Sequence, residues 1–244
     1  MKTSNKMLLG VAVAIMALII FQLATIKGSL KITKGNGDIT TSEKAVPTFE
    51  KINCVGSADI HFHAGEEYQA VVTIDENLKE YVEISTENNV LTIGTKKGYS
   101  ISPTKFTIDV YCPVLTGVSL SGSGSFKSAD KIIASTFESS VAGSGRIEGT
   151  IECDNYSATI TGSGKITIHG NSNDATISIT GSGDFNGDDL NTRNATITIS
   201  GSGDANICVS NNLKAKIFGS GDINYSGDPE IDSSISGSGQ IKKI

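Results

Sequence analysis

The chain has 244 residues, 38% of them apolar and only 6% aromatic, with no Trp, 27 Gly and 4 Pro. That balance excludes collagen-like and Pro-rich linker sequences, and it favours an interior of small and β-branched side chains over one large aromatic core. A net charge of −6 with two arginines, Arg146 and Arg193, leaves no clustered basic face for a nucleic-acid partner.

Lys2 and Lys6 precede an apolar run from Met7 to Ala24, broken only by Gly10 and Gln22, and Lys27, Lys31 and Lys34 follow it. A helix crossing a bilayer needs about 20 such residues. No Ala-x-Ala site stands near Ala24, so residues 1–27 are expected to form one uncleaved N-terminal transmembrane helix, with a cleaved signal peptide as the alternative. Either reading puts the rest of the chain outside the cytoplasm, in the cell envelope, or free in the periplasm or medium after cleavage.

Residues 28–116 read as a β-rich part with two weak repeat copies, Gly35-Asn36-Gly37-Asp38-Ile39 and Gly56-Ser57-Ala58-Asp59-Ile60, spaced by 21. Strand-like runs follow at 70–74, 82–85, 90–93 and 106–111. One helical turn at 75–80 is expected to be capped by Asp75. This part reads either as further coils or as a small antiparallel sheet covering one end.

From residue 117 to 244 a Gly-Ser-Gly recurs, starting at Gly122, Gly143, Gly162, Gly181, Gly201, Gly219 and Gly237, at spacings of 21, 19, 19, 20, 18 and 18. Between the copies the chain alternates with period 2, as in Ala175-Thr176-Ile177-Ser178-Ile179-Thr180. Such alternation of β-branched residues specifies half-buried strands. Apolar residues stand two before the first Gly (Leu120 to Ile235) and four after it (Phe126 to Ile241), in one register. The prediction is an all-β fold: a right-handed parallel β-helix, or β-solenoid, with about 18–21 residues per coil, Ile columns inside and Thr/Ser columns outside. An up-and-down barrel would need turn signals at half that spacing. The 66 residues between Gly56 and Gly122 leave room for three further coils or one irregular insertion.

The Gly-Asn-Gly lead-in, Phe49-Glu50-Lys51-Ile52 ahead of Gly56-Ser57-Ala58-Asp59-Ile60, and the Gly-Ser-Gly-Asp-Ile-Asn style repeats resemble the bacterial head GIN domain family of auto-transporter adhesins. The resemblance covers roughly residues 35–241. It implies an exported β-helical protein and brings no catalytic residues to carry over. Self-export through a C-terminal barrel is not expected, because residues 237–244 still lie inside the repeat.

Candidate sites are few. Ser125, Arg146, Lys165, Asp184, Asp204, Asp222 and Gln240 form one column. Its carboxylates Asp184, Asp204 and Asp222 read as a solvated corner under mutual repulsion, or as oxygen ligands for Ca²⁺. Asn186, Asn206 and Asn224 read as a ladder bonded along the stack. His61 and His63 share one strand face and could take a metal with Glu66 or Glu67, or be plain exposed polar residues. Cys54, Cys112, Cys153 and Cys208 read as free thiols, with Cys54–Cys112 the pair open to a disulfide. Lys242 and Lys243 read as guards of an open sheet edge. The Gly-Ser-Gly copies offer no helix N-terminus and no following Lys-Ser/Thr, so they are not phosphate loops, and no cofactor is implied. The functional expectation is a non-enzymatic envelope module that binds an envelope protein or a glycan, with a polysaccharide-active β-helix enzyme as the alternative.

Overall fold

The computed structural model describes residues 32–244, all-β apart from one short 3-10 helix at Glu76–Tyr81. The N-terminal part contains β1 (Ile32–Lys34), β2 (Ile39–Ala45), β3 (Lys51–Gly56), β4 (Asp59–Ala64), β5 (Gln69–Asp75), β6 (Val82–Glu87), β7 (Val90–Thr95), β8 (Ser100–Ser102) and β9 (Phe106–Cys112). The repeats supply β10 (Gly117–Gly122), β11 (Ser125–Ser128), β12 (Ile132–Ile133), β13 (Thr136–Gly143), β14 (Arg146–Gly162), β15 (Lys165–Gly181) and β16 (Asp184–Gly201). They end with β17 (Ala205–Gly219), β18 (Ile223–Ser226), β19 (Glu230–Gly237) and β20 (Ile241–Lys243). The expected membrane segment lies outside the described residues. Among the described residues no helix is long and apolar enough to cross a membrane.

The repeats stack as a parallel solenoid. Gly122, Gly143, Gly162, Gly181, Gly201, Gly219 and Gly237 pair in unbroken register up the stack. Two apolar columns fill the interior. Leu120, Val141, Ile160, Ile179, Ile199 and Ile217 form one, and Phe126, Ile147, Ile166, Phe185, Ala205 and Ile223 the other, each residue at most 1% exposed. Apolar burial of this kind, at about 1.5–3 kcal/mol per large side chain, is what a lone strand cannot achieve and a neighbouring coil supplies. Unequal repeat lengths are absorbed where the register shifts, between Thr167 and Gly170 and again between Gly187 and Asn191, away from the corner glycines.

The corner shows why the motif needs both glycines. Gly162 sits at φ +112°, a region that favours glycine, and a Cβ there would lie 2.7 Å from the Gly143 carbonyl oxygen. A Cβ on Gly164 would lie 2.9 Å from the Gly145 carbonyl oxygen. The Ser between them acts through its backbone: Ser163 N–H donates to Gly143 O at 2.9 Å, and Ser144 and Ser182 repeat the bond to Gly122 and Gly162.

The 66-residue gap holds an insertion, not three more regular coils. β3 and β4 form a coil that stacks straight onto β10 and β11, with Cys54 opposite Leu120, Gly56 opposite Gly122 and Ile60 opposite Phe126. β7 and β9 extend the two walls one parallel strand further. The direction then reverses: β6 pairs antiparallel with β7, β5 with β9, and β2 with β5. This part thus comprises one further partial coil with antiparallel strands over it.

Two local readings are corrected. The Gly35 copy is not a coil, since β2 runs antiparallel and Ile39 is 44% exposed instead of inside. Gly35 is there because a Cβ would collide with the Asp75 carboxylate. Asp75 does not cap the short helix with its side chain. It is buried, and it ties the loops of the cap together by accepting Gly37 N–H at 2.8 Å, Thr104 N–H at 2.8 Å and the Thr104 hydroxyl at 2.7 Å. Sequence proximity favoured the helix, but long-range pairing brought better donors to the carboxylate.

Replacing Gly162 with Ala should destabilise the fold by at least about 1–3 kcal/mol, the order of a strained backbone, whereas Ser163→Ala should stay within about 0.5 kcal/mol. Urea unfolding of the two variants checks this. Burial works against ionisation of Asp75, but the hydrogen bonds from Thr104, Gly37 and Lys105 outweigh it and hold the carboxyl at about 2. A depressed acid stabilises fully above its unfolded value near pH 4, and that contribution disappears as pH falls toward 2. Melting temperature should therefore decline from about pH 4 to pH 2, and Asp75→Asn should flatten that part of the profile.

Candidate functional site

The alternation that buries Ile puts hydroxyls outside. Ser119, Ser140, Thr159, Ser178 and Thr198 align in one outward column. Ser121, Ala142, Thr161, Thr180 and Ser200 form the next, and Ser157, Thr176 and Thr196 a third. Strand geometry spaces these groups by about 4.8 Å along the stack and about 6.6 Å along each strand. The result is a flat array of hydroxyl and methyl groups, bounded by Lys51 and Glu138 toward the cap and by Lys214, Lys216 and Phe218 toward the last coil. Lys51 and Glu138 are ion-paired at 2.7 Å.

The other wall carries charge. Its outward column runs His61, Lys127, Glu148, Thr167, Asn186, Asn206, Asn224 and Lys242, with Asp109 on the far side of His61. Lys127 pairs with Glu148 at 3.0 Å. His61 and His63 do share a face, and the carboxylate that meets them is Asp109 of β9. Its Oδ1 lies 3.4 Å from His61 Nδ1 and 3.2 Å from His63 Nε2. Tyr111 stacks on His63 with centroids 4.8 Å apart. Among the described residues no three His, Cys, Asp or Glu groups are arranged to hold a metal ion.

The Asp184–Asp204–Asp222 column is a side-chain ladder onto the backbone. Asp184 Oδ1 accepts Asp204 N–H at 3.4 Å, Asp204 Oδ1 accepts Asp222 N–H at 2.7 Å, and Asp222 Oδ1 accepts Gln240 N–H at 2.8 Å. Where the residue below is Ser125, Arg146 or Lys165, the same amide binds a Gly carbonyl instead, as in Arg146 N–H to Gly124 O and Asp184 N–H to Gly164 O. Each carboxylate thus takes the place of a main-chain acceptor, and the strand above begins one residue later, at Ala205 and Ile223. Each of the three acids is held by a backbone donor of the coil above.

The amide ladder expected at Asn186, Asn206 and Asn224 has one rung, Asn224 Nδ2 to Asn206 Oδ1 at 3.0 Å. Asn206 donates to Asp188, while Asn186 accepts from the backbone of Asp188. A longer ladder stands seven residues before Gly181, Gly201 and Gly219: Asn194 Nδ2 donates to Asp174 at 2.9 Å, and Asn212 Nδ2 to Asn194 at 2.9 Å. Its spacing was as readable as that of the glycines. All four cysteines are free. Burial pushes the Cys54 thiol up to about 11 and the Cys112 thiol up to about 12, so neither is a ready nucleophile.

Asp204→Ala should cost about 0.5–1.5 kcal/mol by removing the acceptor for Asp222 N–H, while Asp204→Asn, which keeps an acceptor, should cost less. Thermal melts of both variants test the ladder, and millimolar Ca²⁺ should not raise the wild-type melting temperature.

Residues 48–229 match the family described as "Putative auto-transporter adhesin, head GIN domain". No curated protein matches the chain. Solved structures do. A "putative lipid binding protein" of Parabacteroides distasonis is 33% identical, with a TM-score of 0.74 over 88% of this chain and 100% of its own. A "putative adhesin" of the same species is 27% identical, with a TM-score of 0.72 over 88% and 100%. A "putative adhesin" of Bacteroides fragilis shares the fold at 20% identity, with a TM-score of 0.81 over 86% and 99%. None of these descriptions names a reaction. The match across three quarters of the length makes this chain a member of the head GIN domain family.

Proposed function

We propose that the chain is a non-enzymatic, adhesin-like binding module of the cell envelope. In this reading residues 1–27 anchor it, and the solenoid, its coils winding right-handed as parallel crossovers do, stands outside the cytoplasm. The observation that carries the binding role is the hydroxyl wall. Five coils present Ser and Thr at regular spacing on a rigid support, with the charged residues confined to the borders of the array. Such a surface suits a neutral glycan: its hydroxyls can exchange hydrogen bonds with sugar hydroxyls, and no buried charge has to be desolvated. A fixed backbone also lowers the ordering cost of binding. The adhesin description of the family supports the same reading.

The test is capture of neutral glycans on an array by the full chain, alongside Thr159→Arg, Thr180→Arg and Thr198→Arg combined. These side chains point outward, so the melting temperature should hold while capture falls at least tenfold. Capture that is unchanged by all three would overturn the assignment of the wall. For the location, intact cells treated with protease should lose the solenoid, and mass spectrometry of the N-terminus should find Met1–Lys27 retained. A new terminus near Thr25 would replace the anchor with a cleaved signal.

A further inference from the structure

The two ends of the solenoid are finished differently. At the N-terminal end, antiparallel β5 and β6 seal the parallel strands β9 and β7, and the residues beneath them, Ile74, Leu78 and Ile93 among them, are fully buried. At the other end β19 pairs with β17 on one side, and every one of its eight residues is exposed. Ile231 and Ile235 stand in the inward columns directly above Leu213 and Ile217. Those two are 1% and 0% exposed, whereas Ile231 and Ile235 are 46% and 45% exposed. Two core positions of a repeat are thus left half open beside a strand edge whose outer backbone groups have no neighbour among the described residues. Solenoids require a cap at such an end.

The lysines expected to guard the end of the stack stand on β20, which among the described residues pairs only with β18, but their charges are engaged from within the chain. Lys242 turns back to Asp222 at 3.8 Å, and Lys243 is ion-paired with Asp228. Asp232 is likewise held by Lys214 of the coil beneath, at 3.9 Å. The charges of the last coil are therefore largely answered from within the same chain.

We propose that the last coil is covered by the last coil of a second copy of this chain, giving a closed two-fold pair of rods joined end to end. The sequence of β19 is self-complementary for this. With the two-fold axis at Ser233, antiparallel pairing sets Ile231 opposite Ile235 of the second copy and Ile235 opposite its Ile231. Asp232 then faces Ser234 and Glu230 faces Ser236, so no acid meets an acid. The molecule already uses antiparallel addition to seal a parallel coil, at β5 on β9. Head-to-tail stacking finds no open Ile column at the capped end, whereas the two-fold contact closes as a dimer.

Cysteine cross-linking in the full chain tests this. Residues facing across a two-fold antiparallel pair have Cα atoms about 4.5–5.5 Å apart, within disulfide range. Mild oxidation should convert most of Ser233→Cys into a covalent dimer, while Ser178→Cys on the hydroxyl wall and the wild type should stay monomeric on a non-reducing gel. Adding Ile235→Lys to Ser233→Cys should abolish the dimer, with the melting temperature confirming that the solenoid is intact. Absence of a Ser233→Cys dimer would overturn the proposal. So would a dimer that persists with Ile235→Lys, or equal cross-linking at Ser178→Cys.

Discussion

One hydrogen bond recurs through the stack: the N–H of each corner Ser donates to the carbonyl of the corner Gly one coil below, at about 2.9 Å between Ser163 and Gly143. It forms because the Gly backbone, at positive φ, brings that carbonyl closer than any Cβ would allow. The bond fixes register, and in strands register is decisive. A slip of one residue would turn Ile160, Ile179 and Ile199 outward and their Thr and Ser neighbours inward. The packing of the core and the chemistry of both walls depend on that corner.

Once coils are held about 4.8 Å apart in register, polar side chains at equivalent positions meet each other or the next backbone. Asp184, Asp204 and Asp222 use this to replace a main-chain acceptor, and Asp174, Asn194 and Asn212 use it to build an amide ladder. These contacts stiffen the edges of the walls while leaving the hydroxyl array free. The residues that hold the rod together are therefore not those of the hydroxyl wall. A cost of this construction is borne at the ends, where the coil at residues 230–243 lacks, among the described residues, the neighbour that every internal coil has. The antiparallel strands meet it at one end, and at the other Ile231 and Ile235 stay half open.

What the sequence determined by itself is the repeating part. Gly-Ser-Gly at intervals of 18 to 21, with β-branched residues at period 2 between, states the coil length, the inward and outward sets and the stacking register, because each follows from a rule acting within about 20 residues and restated at every coil. The hydroxyl wall was legible on the same terms. What only the tertiary structure decided are the features that join distant segments: coil 51–64 on coil 117–128, the antiparallel cap, Asp109 beside His61 and His63, and Asp75 binding Gly37 and Thr104. In each of these the partner is tens of residues away, and although Gly56-Ser57-Ala58-Asp59-Ile60 marks a coil, nothing in the spacing says which coil it stacks on. The Gly35 copy misled for the same reason. Its local pattern matches a coil, but a strand takes its direction from the neighbour it pairs with, and for β2 that neighbour is β5, running the opposite way.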